Sequence, residues 1–482
     1  MGLAEDWDVT LGISGDIQWR ITANASDSDP FLCPIGTGNV HRTEPRFQSD
    51  RKGSAARVGV VFPIASILCV LFLYVVPVGF AGNGSPPSAD RQPARPSASA
   101  VGHAIELSIA YLERSCQPDG QFIYLLDPLT GKQSGTYNVV RHAGAIYSLA
   151  FFNRLHPDRN ALPAMVRAGN FLRRNYLGND PSGRMRIVWP APLGAKPADH
   201  ASLGATGLGL VALSETERAN PNTIPYSDME GMARFLVFQQ KNDGSFFMEY
   251  GVTSGPLEGQ NKLSNLYFPG EAILGLLSLY EVDHQKQWLV AAGKGLAYLA
   301  KSRAGQKAVP PDHWALIATA KFLPHYDQSE CPATRGELQH HTIQVVNAFL
   351  ERLAPGLTAD PALDGSVDGQ GRTTPTATSL EGLLAALESA PGAEYPAELT
   401  GAMRNTVYRG IGFLLRAQIQ SGSYAGGMPG RIIGSNARSI PADANAAHIR
   451  IDYVQHALCA FLRFEKLFPT ERVSTQDRAQ SE

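Results

Sequence analysis

Charged residues and cysteines are scarce in this chain of 482 residues. Asp, Glu, Lys and Arg make up 18% of it, whereas about 25% is usual for soluble domains. The 42 basic and 44 acidic side chains leave a formal net charge of −2. Without an excess of positive charge the chain has no electrostatic footprint for a polyanion, so nucleic acid is not an expected partner.

Sites that need clustered cysteines or glycine-rich loops are also missing from the sequence. No two of the five cysteines have the spacing of a zinc site, and no His-Glu-x-x-His, Gly-x-Ser-x-Gly or phosphate-binding loop motif occurs. We therefore expect neither a metal nor another cofactor. Hydrophobic residues account for 44% of the chain, which is enough for a large core, and 47 glycines and 33 prolines indicate many elements joined by tight turns.

One uncharged apolar run, residues 58–81, differs from everything around it. It is long enough to span a bilayer. Three basic residues lie just before it and the next charge after it is Asp90, so the positive-inside rule keeps residues 1–57 in the cytosol and exports the rest of the chain. Small residues with the spacing of a signal-peptidase site end the run at Ala81, so cleavage there and permanent anchoring both stay open.

The chain divides into five predicted parts. They are a cytoplasmic leader without regular structure (1–57), a transmembrane or signal-anchor helix (58–81), a Pro/Ser-rich linker (82–101), a main domain (102–467) and a disordered tail (468–482). The main domain is expected outside the cytoplasm, either anchored to the membrane in the periplasm or extracellular space, or secreted.

A repeated phrase organises the main domain. A short amphipathic helix ends in Gln or an equivalent residue and is followed by a Gly turn and an aromatic residue. The amphipathic segments are 104–122, 167–183, 231–246, 293–306, 340–353 and 409–424. Between them lie six segments that are apolar on almost every side and rich in Gly and Ala, at 137–152, 200–215, 269–281, 311–323, 374–389 and 449–464.

A helix that is apolar all round must be buried, so the second set of segments is expected to form an inner ring inside the amphipathic helices. The predicted fold is all-α, an (α/α)6 barrel or toroid of helical hairpins, preceded by one transmembrane or signal segment.

The Gln-x-x-x-Gly-x-aromatic phrase, seen in 231–246 and 409–424, resembles the repeat of terpene cyclases and protein prenyltransferases. The alternating helix rings also resemble six-hairpin glycosidases and N-acylglucosamine 2-epimerase-type barrels. The likeness covers most of the main domain and is architectural. No catalytic motif of these families maps onto the chain, and both the Asp-x-Asp-Asp acid and the Asp-rich diphosphate motif of terpene cyclases are absent.

Inner helices of such a barrel run in one direction, so their starts surround one mouth of a central cavity. Most polar residues of the apolar segments lie at these starts and are the candidate site residues. The predicted catalytic residues are His142, Glu271, Asp312, His313, Glu381, Asp452 and His456, and the predicted substrate-binding residues are Asn138, Arg141, Tyr267, Trp314, Arg372, Arg450 and Tyr453. The adjacent His340 and His341, on an amphipathic segment, are expected to be solvent exposed.

Spacing and context suggest roles for the catalytic candidates. Glu271 is expected in the first turn of its helix. There it is either a general acid or base or an acidic side chain that the helix dipole stabilises. Glu381 lies deeper in apolar sequence, where a carboxylate must be paired or have a raised pKa. Asp452 and His456 share one helical face, so the carboxylate could orient the imidazole. Asp312 is either a helix cap or part of the site.

The binding candidates are chosen for the free-energy cost of burying their charge or for the flat surface of their rings. An arginine such as Arg141, beside His142 in an apolar helix, is costly to bury without a partner. Arg372 precedes a helix whose expected N-cap is Thr374. Tyr267 and Trp314 offer stacking surfaces for a sugar.

These residue types favour a carbohydrate-active enzyme of the cell envelope that acts on a glycan or another small polar substrate. A facing carboxylate pair would indicate glycoside hydrolysis, whereas convergence of His142, His313 and His456 would indicate proton abstraction, as in epimerases or lyases. A non-catalytic glycan-binding or scaffold protein, and an isoprenoid- or lipid-binding protein of terpene-cyclase type, are the alternatives. The membrane is the other expected partner, through residues 58–81.

Overall fold

In the described part of the chain, twelve α helices alternate between an outer and an inner position. The structure, a computed structural model, describes residues 93–195, 198–353, 360–389, 395–432 and 446–469. The outer helices are α1 (Ala98–Ser115), α3 (Leu162–Tyr176), α5 (Tyr226–Gln239), α7 (Lys286–Arg303), α9 (Arg335–Leu353) and α11 (Ala397–Ala417). The inner helices are α2 (Val139–Leu155), α4 (Leu203–Ala219), α6 (Lys262–Asp283), α8 (His313–Phe322), α10 (Thr373–Glu388) and α12 (Ile451–Leu467).

The predicted toroid is confirmed, because each apolar segment lies in an inner helix and each amphipathic segment in an outer one. Burial explains the difference in composition. Helix α2 buries every residue from Arg141 to Asn153, so a polar side chain on any of its faces needs a partner. Helix α11 buries one stripe, which includes Met403, Val407 and Ile411.

The inner helices follow one another around a closed ring, and α12 packs against α2. Glycine sets the distance between some of them. A Cβ atom on Gly207 of α4 would lie 2.8 Å from the backbone nitrogen of Ala272 in α6, and one on Gly275 would lie 2.7 Å from the carbonyl oxygen of Gly207. No larger residue fits there without a shift, so glycine allows α4 and α6 to meet backbone to backbone.

Short strands, which the all-α prediction omits, lie between an outer helix and the next inner one. They are β1 (Leu125–Leu126), β2 (Leu177–Asn179), β3 (Arg186–Val188), β4 (His200–Ser202), β5 (Glu249–Gly251), β6 (Gly255–Leu257) and β7 (Ile449–Arg450). They pair antiparallel as β1–β7, β2–β3 and β4–β5–β6. The β1–β7 pair joins the loop before α2 to the loop before α12, so it spans the seam where the ring closes.

These strands and loops gather at one end of the ring, which we call the N-terminal mouth because the inner helices begin there. The opposite end is the C-terminal mouth. Two helix starts at the N-terminal mouth differ from the prediction. Helix α6 begins at Lys262 and contains Pro269, so Glu271 lies in its third turn rather than its first. Helix α10 begins directly after Arg372, so Thr374 is not its N-cap.

None of the described helices is long and apolar enough to cross a bilayer. The predicted membrane segment 58–81 and the predicted leader 1–57 lie outside the described residues, as do residues 82–92 of the linker and 470–482 of the tail. Helix α1 begins at Ala98, within the segment predicted as linker.

Candidate active site

A buried histidine–carboxylate pair joins the neighbouring inner helices α10 and α12. Nδ1 of His456 lies 2.6 Å from Oε1 of Glu381, and both side chains are buried. The imidazole thus supplies the partner that a carboxylate in apolar surroundings requires. Within the described residues, no group forms a hydrogen bond with Nε2 of His456. The pair orients the ring and leaves Nε2 for a ligand.

Asp452 does not orient His456, so this part of the prediction is wrong. Its carboxylate pairs with Nε and Nη2 of Arg450 at 2.6 and 3.0 Å, and Nε of Arg141 lies 3.1 Å from it. Burial raises the pKa of Asp452, but the two guanidinium groups outweigh burial and lower it. The Cζ atom of Arg450 also lies 4.3 Å from the centroid of the Tyr453 ring. This network ties α2 to α12 at the N-terminal mouth.

A second imidazole, His313 of α8, lies next to the His456–Glu381 pair. The ring centroids of His313 and His456 are 5.8 Å apart, and those of Trp314 and Tyr267 lie 4.7 and 5.3 Å from His313. Nε2 of His313 is buried and has no hydrogen-bond partner. Burial, followed by the nearby positive groups, holds the pKa of His313 well below 6.5, so the ring is neutral at pH 7.

Glu271 approaches the same region from α6 as a buried acid. Tyr267, one turn before it on the same helical face, contacts His313. Oε2 of Glu271 is buried without a hydrogen-bond partner. Burial and, secondarily, the charge of Asp312 raise the pKa of Glu271 to about 8. At pH 7 the carboxyl group is therefore mostly protonated and can donate a hydrogen bond.

Asp312 has the structural role of fixing the start of α8. Its carboxylate accepts hydrogen bonds from the backbone nitrogen of Ala315 at 3.0 Å and from Nη2 of Arg303 at 2.8 Å. His341 is buried, contrary to expectation, and its Nε2 lies 3.1 Å from Nη1 of Arg303. His340 is exposed, as expected. The sequence pattern did not reveal Arg303, because a basic residue in the last turn of an amphipathic helix is usually solvated.

Two predicted catalytic or binding groups lie apart from these side chains. His142 faces the outer helix α3, where its Nδ1 lies 2.6 Å from the hydroxyl of Tyr137 and its Nε2 lies 2.9 Å from the carbonyl oxygen of Ala168. Burial lowers the pKa of His142 to about 4. Arg372 forms a half-buried ion pair of 2.6 Å with Asp368.

Asn138 has the structural role of an N-cap. Its side-chain oxygen accepts hydrogen bonds from the backbone nitrogens of Val140 and Arg141 at 2.9 and 3.2 Å. These contacts satisfy two of the free N–H groups at the start of α2.

The polar side chains that meet near the N-terminal mouth are therefore His313, Glu381 and His456, with Tyr267 and Trp314 beside them. Glu271 lies one turn after Tyr267 on α6, and a Cβ atom on Gly204 of α4 would lie 2.3 Å from its Oε2. One neighbour was not predicted. Gln455 places its Nε2 at 3.3 Å from Nδ1 of His456, and a Cβ atom on Gly144 of α2 would lie 2.9 Å from its Oε1. Gln455 could have been found in the sequence, because it is a polar residue within the apolar stretch of α12.

No family model and no curated protein sequence matches the chain, but solved structures match its fold. A D-mannose isomerase has a TM-score of 0.55 and 15% identity, covering 79% of this chain and 99% of that protein. Cellobiose 2-epimerase from Bacillus thermoamylovorans B4167 has a TM-score of 0.54 and 13% identity, covering 76% and 98%. The GH76 α-1,6-mannanase from Salegentibacter sp. HEL1_6 has a TM-score of 0.51 and 11% identity, covering 77% and 99%.

These similarities confirm that the chain shares the α/α-toroid fold of six-hairpin glycosidases and 2-epimerase-like proteins. They lend no support to the resemblance to terpene cyclases, which rests on the sequence repeat alone.

Proposed function

We propose that this protein is a carbohydrate-active enzyme, and more specifically a sugar 2-epimerase or aldose–ketose isomerase. The supporting observation is the approach of two buried imidazoles, His313 and His456, whose ring centroids are 5.8 Å apart. Their surroundings are electrically opposite, because His456 pairs with the carboxylate of Glu381 whereas His313 lies among apolar and positive groups. An acid–base pair needs two groups that their environments hold in different protonation states.

In this proposal neutral His313 is the base. Its Nε2 takes the proton from the carbon next to the carbonyl group of an open-chain sugar, and the electron pair of the broken C–H bond forms a C=C bond while the carbonyl oxygen becomes an enediolate oxygen. His456, whose Nδ1 faces the carboxylate of Glu381, is the acid that returns a proton. Protonation of the same carbon from the other face gives the 2-epimer. Protonation of the neighbouring carbon gives the isomer, when the hydroxyl proton on the first carbon passes to the enediolate oxygen and that carbon becomes the new carbonyl. No oxidant or reductant is consumed.

Glu271 and the aromatic side chains complete this proposed site. At neutral pH the carboxyl group of Glu271 can donate a hydrogen bond to the developing enediolate oxygen, because its pKa is raised to about 8. Such a donor stabilises the transition state most strongly when water is excluded. Trp314 and Tyr267, whose rings both contact that of His313, provide ring faces for the apolar face of a sugar.

Glycoside hydrolysis needs two carboxyl groups across the scissile bond. Asp312 is held by Arg303, Asp452 by two arginines and Glu381 by His456. Glu271 keeps a proton to give, and its Oε2 has no hydrogen-bond partner. The distribution of partners therefore favours proton transfer at carbon over hydrolysis, although the shared fold occurs in both classes.

Deuterium exchange tests the proposal. The protein is incubated in D2O with mannose, cellobiose or α-1,6-mannobiose, and the C2 proton is followed by NMR. We expect its loss together with the appearance of an epimer or ketose. His313→Gln and His456→Gln should each lower the exchange rate about 10²- to 10⁴-fold. His340→Gln, on the exposed side of α9, is the control and should leave the rate unchanged.

Two outcomes would contradict the proposal. Release of reducing ends from mannobiose without deuterium at C2 would indicate a hydrolase. Saturable sugar binding by the wild type without exchange or cleavage would indicate a non-catalytic glycan-binding protein.

A further inference from the structure

A cavity lies at the C-terminal mouth, at the end of the ring away from the two histidines. Its volume is about 270 Å³, and side chains from all six inner helices line it. Tyr147 and Arg463 form its buried part, whereas Lys466 and Arg154 at the rim are about half and one-third exposed. A polar cavity of this size holds solvent or a ligand rather than staying empty.

The lining is rich in charge, and positive charge is in excess. The basic residues are Arg154, Arg218, Lys321, Arg463 and Lys466, and the acidic residues are Glu215, Glu281 and Glu388. Glu215 is shared by three of the cations, Glu281 by two and Glu388 by two. Each carboxylate is therefore shared by at least two cations, and five positive against three negative side chains leave the lining an excess of two positive charges.

Two guanidinium groups of the cavity are positioned by one aromatic ring. The Cζ atoms of Arg154 and Arg463 lie 5.2 and 5.4 Å from the centroid of the Phe151 ring. Nε of Arg463 is buried without a hydrogen-bond partner, and its Nη2 lies 3.4 Å from the hydroxyl of Tyr147. Guanidinium groups held in this way offer planar donor pairs to carboxylate or phosphate oxygens.

Compensation of helix dipoles explains only part of this charge. Four of the cations lie in the last turns of their helices, where positive charge is favourable. Arg463 lies a full turn before the end of α12 and is buried, so the helix end does not account for it.

We propose that the C-terminal cavity binds a small anion that carries a phosphate or carboxylate group, and that Arg154 and Arg463 contact this group. The volume admits inorganic phosphate as well as a phosphorylated or acidic monosaccharide, which share an oxyanion. The site is independent of the proposed epimerase or isomerase activity, because none of the residues assigned to that reaction lines the cavity.

Isothermal titration calorimetry on the full chain tests this site, at low ionic strength so that salt does not screen the charges. The probes are inorganic phosphate, glucose 6-phosphate and glucuronate, and the probe that binds most tightly identifies the source of the oxyanion. We expect saturable binding of at least one. Arg154→Met should weaken it at least about tenfold, since a charge-assisted hydrogen bond is lost. Glu388→Gln should tighten it, because the excess of positive charge rises.

Arg159→Met is the matched control, since it removes the same charge from an exposed position in the loop after α2, outside the cavity. Lys466→Met, at the half-exposed rim, is a second test that does not disturb the core, and it should weaken binding several-fold. Absence of saturable heat with all three probes up to 10 mM would overturn the proposal, and so would equal affinities of Arg154→Met, Lys466→Met and Arg159→Met. Either result would mean that these cations only stabilise the C-terminal ends of their helices.

Discussion

His142, His313 and His456 are all buried in inner helices, yet only two of them belong to the proposed site. Both ring nitrogens of His142 have partners, the hydroxyl of Tyr137 and the backbone of Ala168. His313 and His456 each keep Nε2 without a hydrogen bond within the described residues. At the scale of the residue, burial does not distinguish a structural histidine from a catalytic candidate, whereas the hydrogen-bond partners of its nitrogens do.

Glu271 is predicted to make the fold less stable as the pH rises. Its pKa is about 8 in the folded protein against an ordinary value of 4.5. Between these values the folded state keeps a proton that the unfolded chain loses, so the stability linked to the protonated form is complete below about pH 4.5 and is lost as the pH rises through about 8. We expect Glu271→Gln to be more stable than the wild type by more than about 1 kcal/mol at pH 8.5.

Urea unfolding at pH 4.5 and 8.5 measures this difference. At pH 4.5 the variant and the wild type should be similarly stable, because both carry a neutral side chain. Glu258→Gln is the control, since Glu258 is exposed and should change stability little at either pH. A difference between Glu271→Gln and the wild type that stays constant with pH would contradict the raised pKa.

At the scale of the helix, the glycines at the contact between α4 and α6 are predicted to tolerate no larger residue without a loss of stability. A Cβ atom on Gly207 would lie 2.8 to 2.9 Å from backbone atoms of Glu271 and Ala272 in α6. Backbone cannot move aside as a side-chain tip can, so Gly207→Ala should push α4 from α6 and destabilise the protein by about 1–3 kcal/mol. Because α6 carries Glu271, any sugar exchange activity should fall as well.

The matched control for Gly207→Ala is Gly102→Ala in the outer helix α1, where a Cβ atom would meet nothing within 4 Å. Alanine is the better helix former, so this variant should be more stable by about 0.5–1 kcal/mol. Chemical denaturation of both variants gives the comparison. Equal stability of the two would show that the α4–α6 contact tolerates a methyl group.

The inner helices could be predicted from sequence, because a helix that is apolar on every side is almost always a buried one. Their starts were harder to predict. Proline favours the first turn of a helix, and the predicted segment 269–281 begins with Pro269, whereas α6 begins at Lys262 and continues through this proline. The strands were missed because two or three residues, as in β1 and β2, are too few for an alternating pattern.

At the scale of the whole molecule, the site could be predicted as a set of residue types but not as a set of contacts. Spacing within α12 suggested Asp452 as the partner of His456, since i, i+4 neighbours are the contacts that a single helix reveals. The partner is instead Glu381, 75 residues earlier in the chain. The C-terminal cavity was missed because its cations follow the ordinary pattern of helix ends, and only ring closure brings them together.

The stability of the closed ring of inner helices is predicted to depend on Glu215. This carboxylate is 3% exposed and is shared by cations of α2, α4 and α8, and Ser278 of α6 donates a hydrogen bond to it at 3.3 Å. Burial raises the pKa of Glu215, but Lys321 and the two arginines outweigh burial and lower it to about 2. The resulting stabilisation is present above about pH 4.5 and is lost as the pH falls through about 2.

We expect Glu215→Gln to be destabilised by about 3 kcal/mol or more at pH 7, because three neighbouring cations lose their shared carboxylate. This deficit should shrink as the pH is lowered from 4.5 towards 2, since the wild-type carboxylate then takes up a proton. Denaturant unfolding across this pH range measures it. Glu230→Gln breaks a surface pair with Arg234 and should cost less than about 1 kcal/mol. A Glu215→Gln deficit no larger than that of Glu230→Gln, or one that persists undiminished at pH 2, would mean that the ring does not depend on this charge.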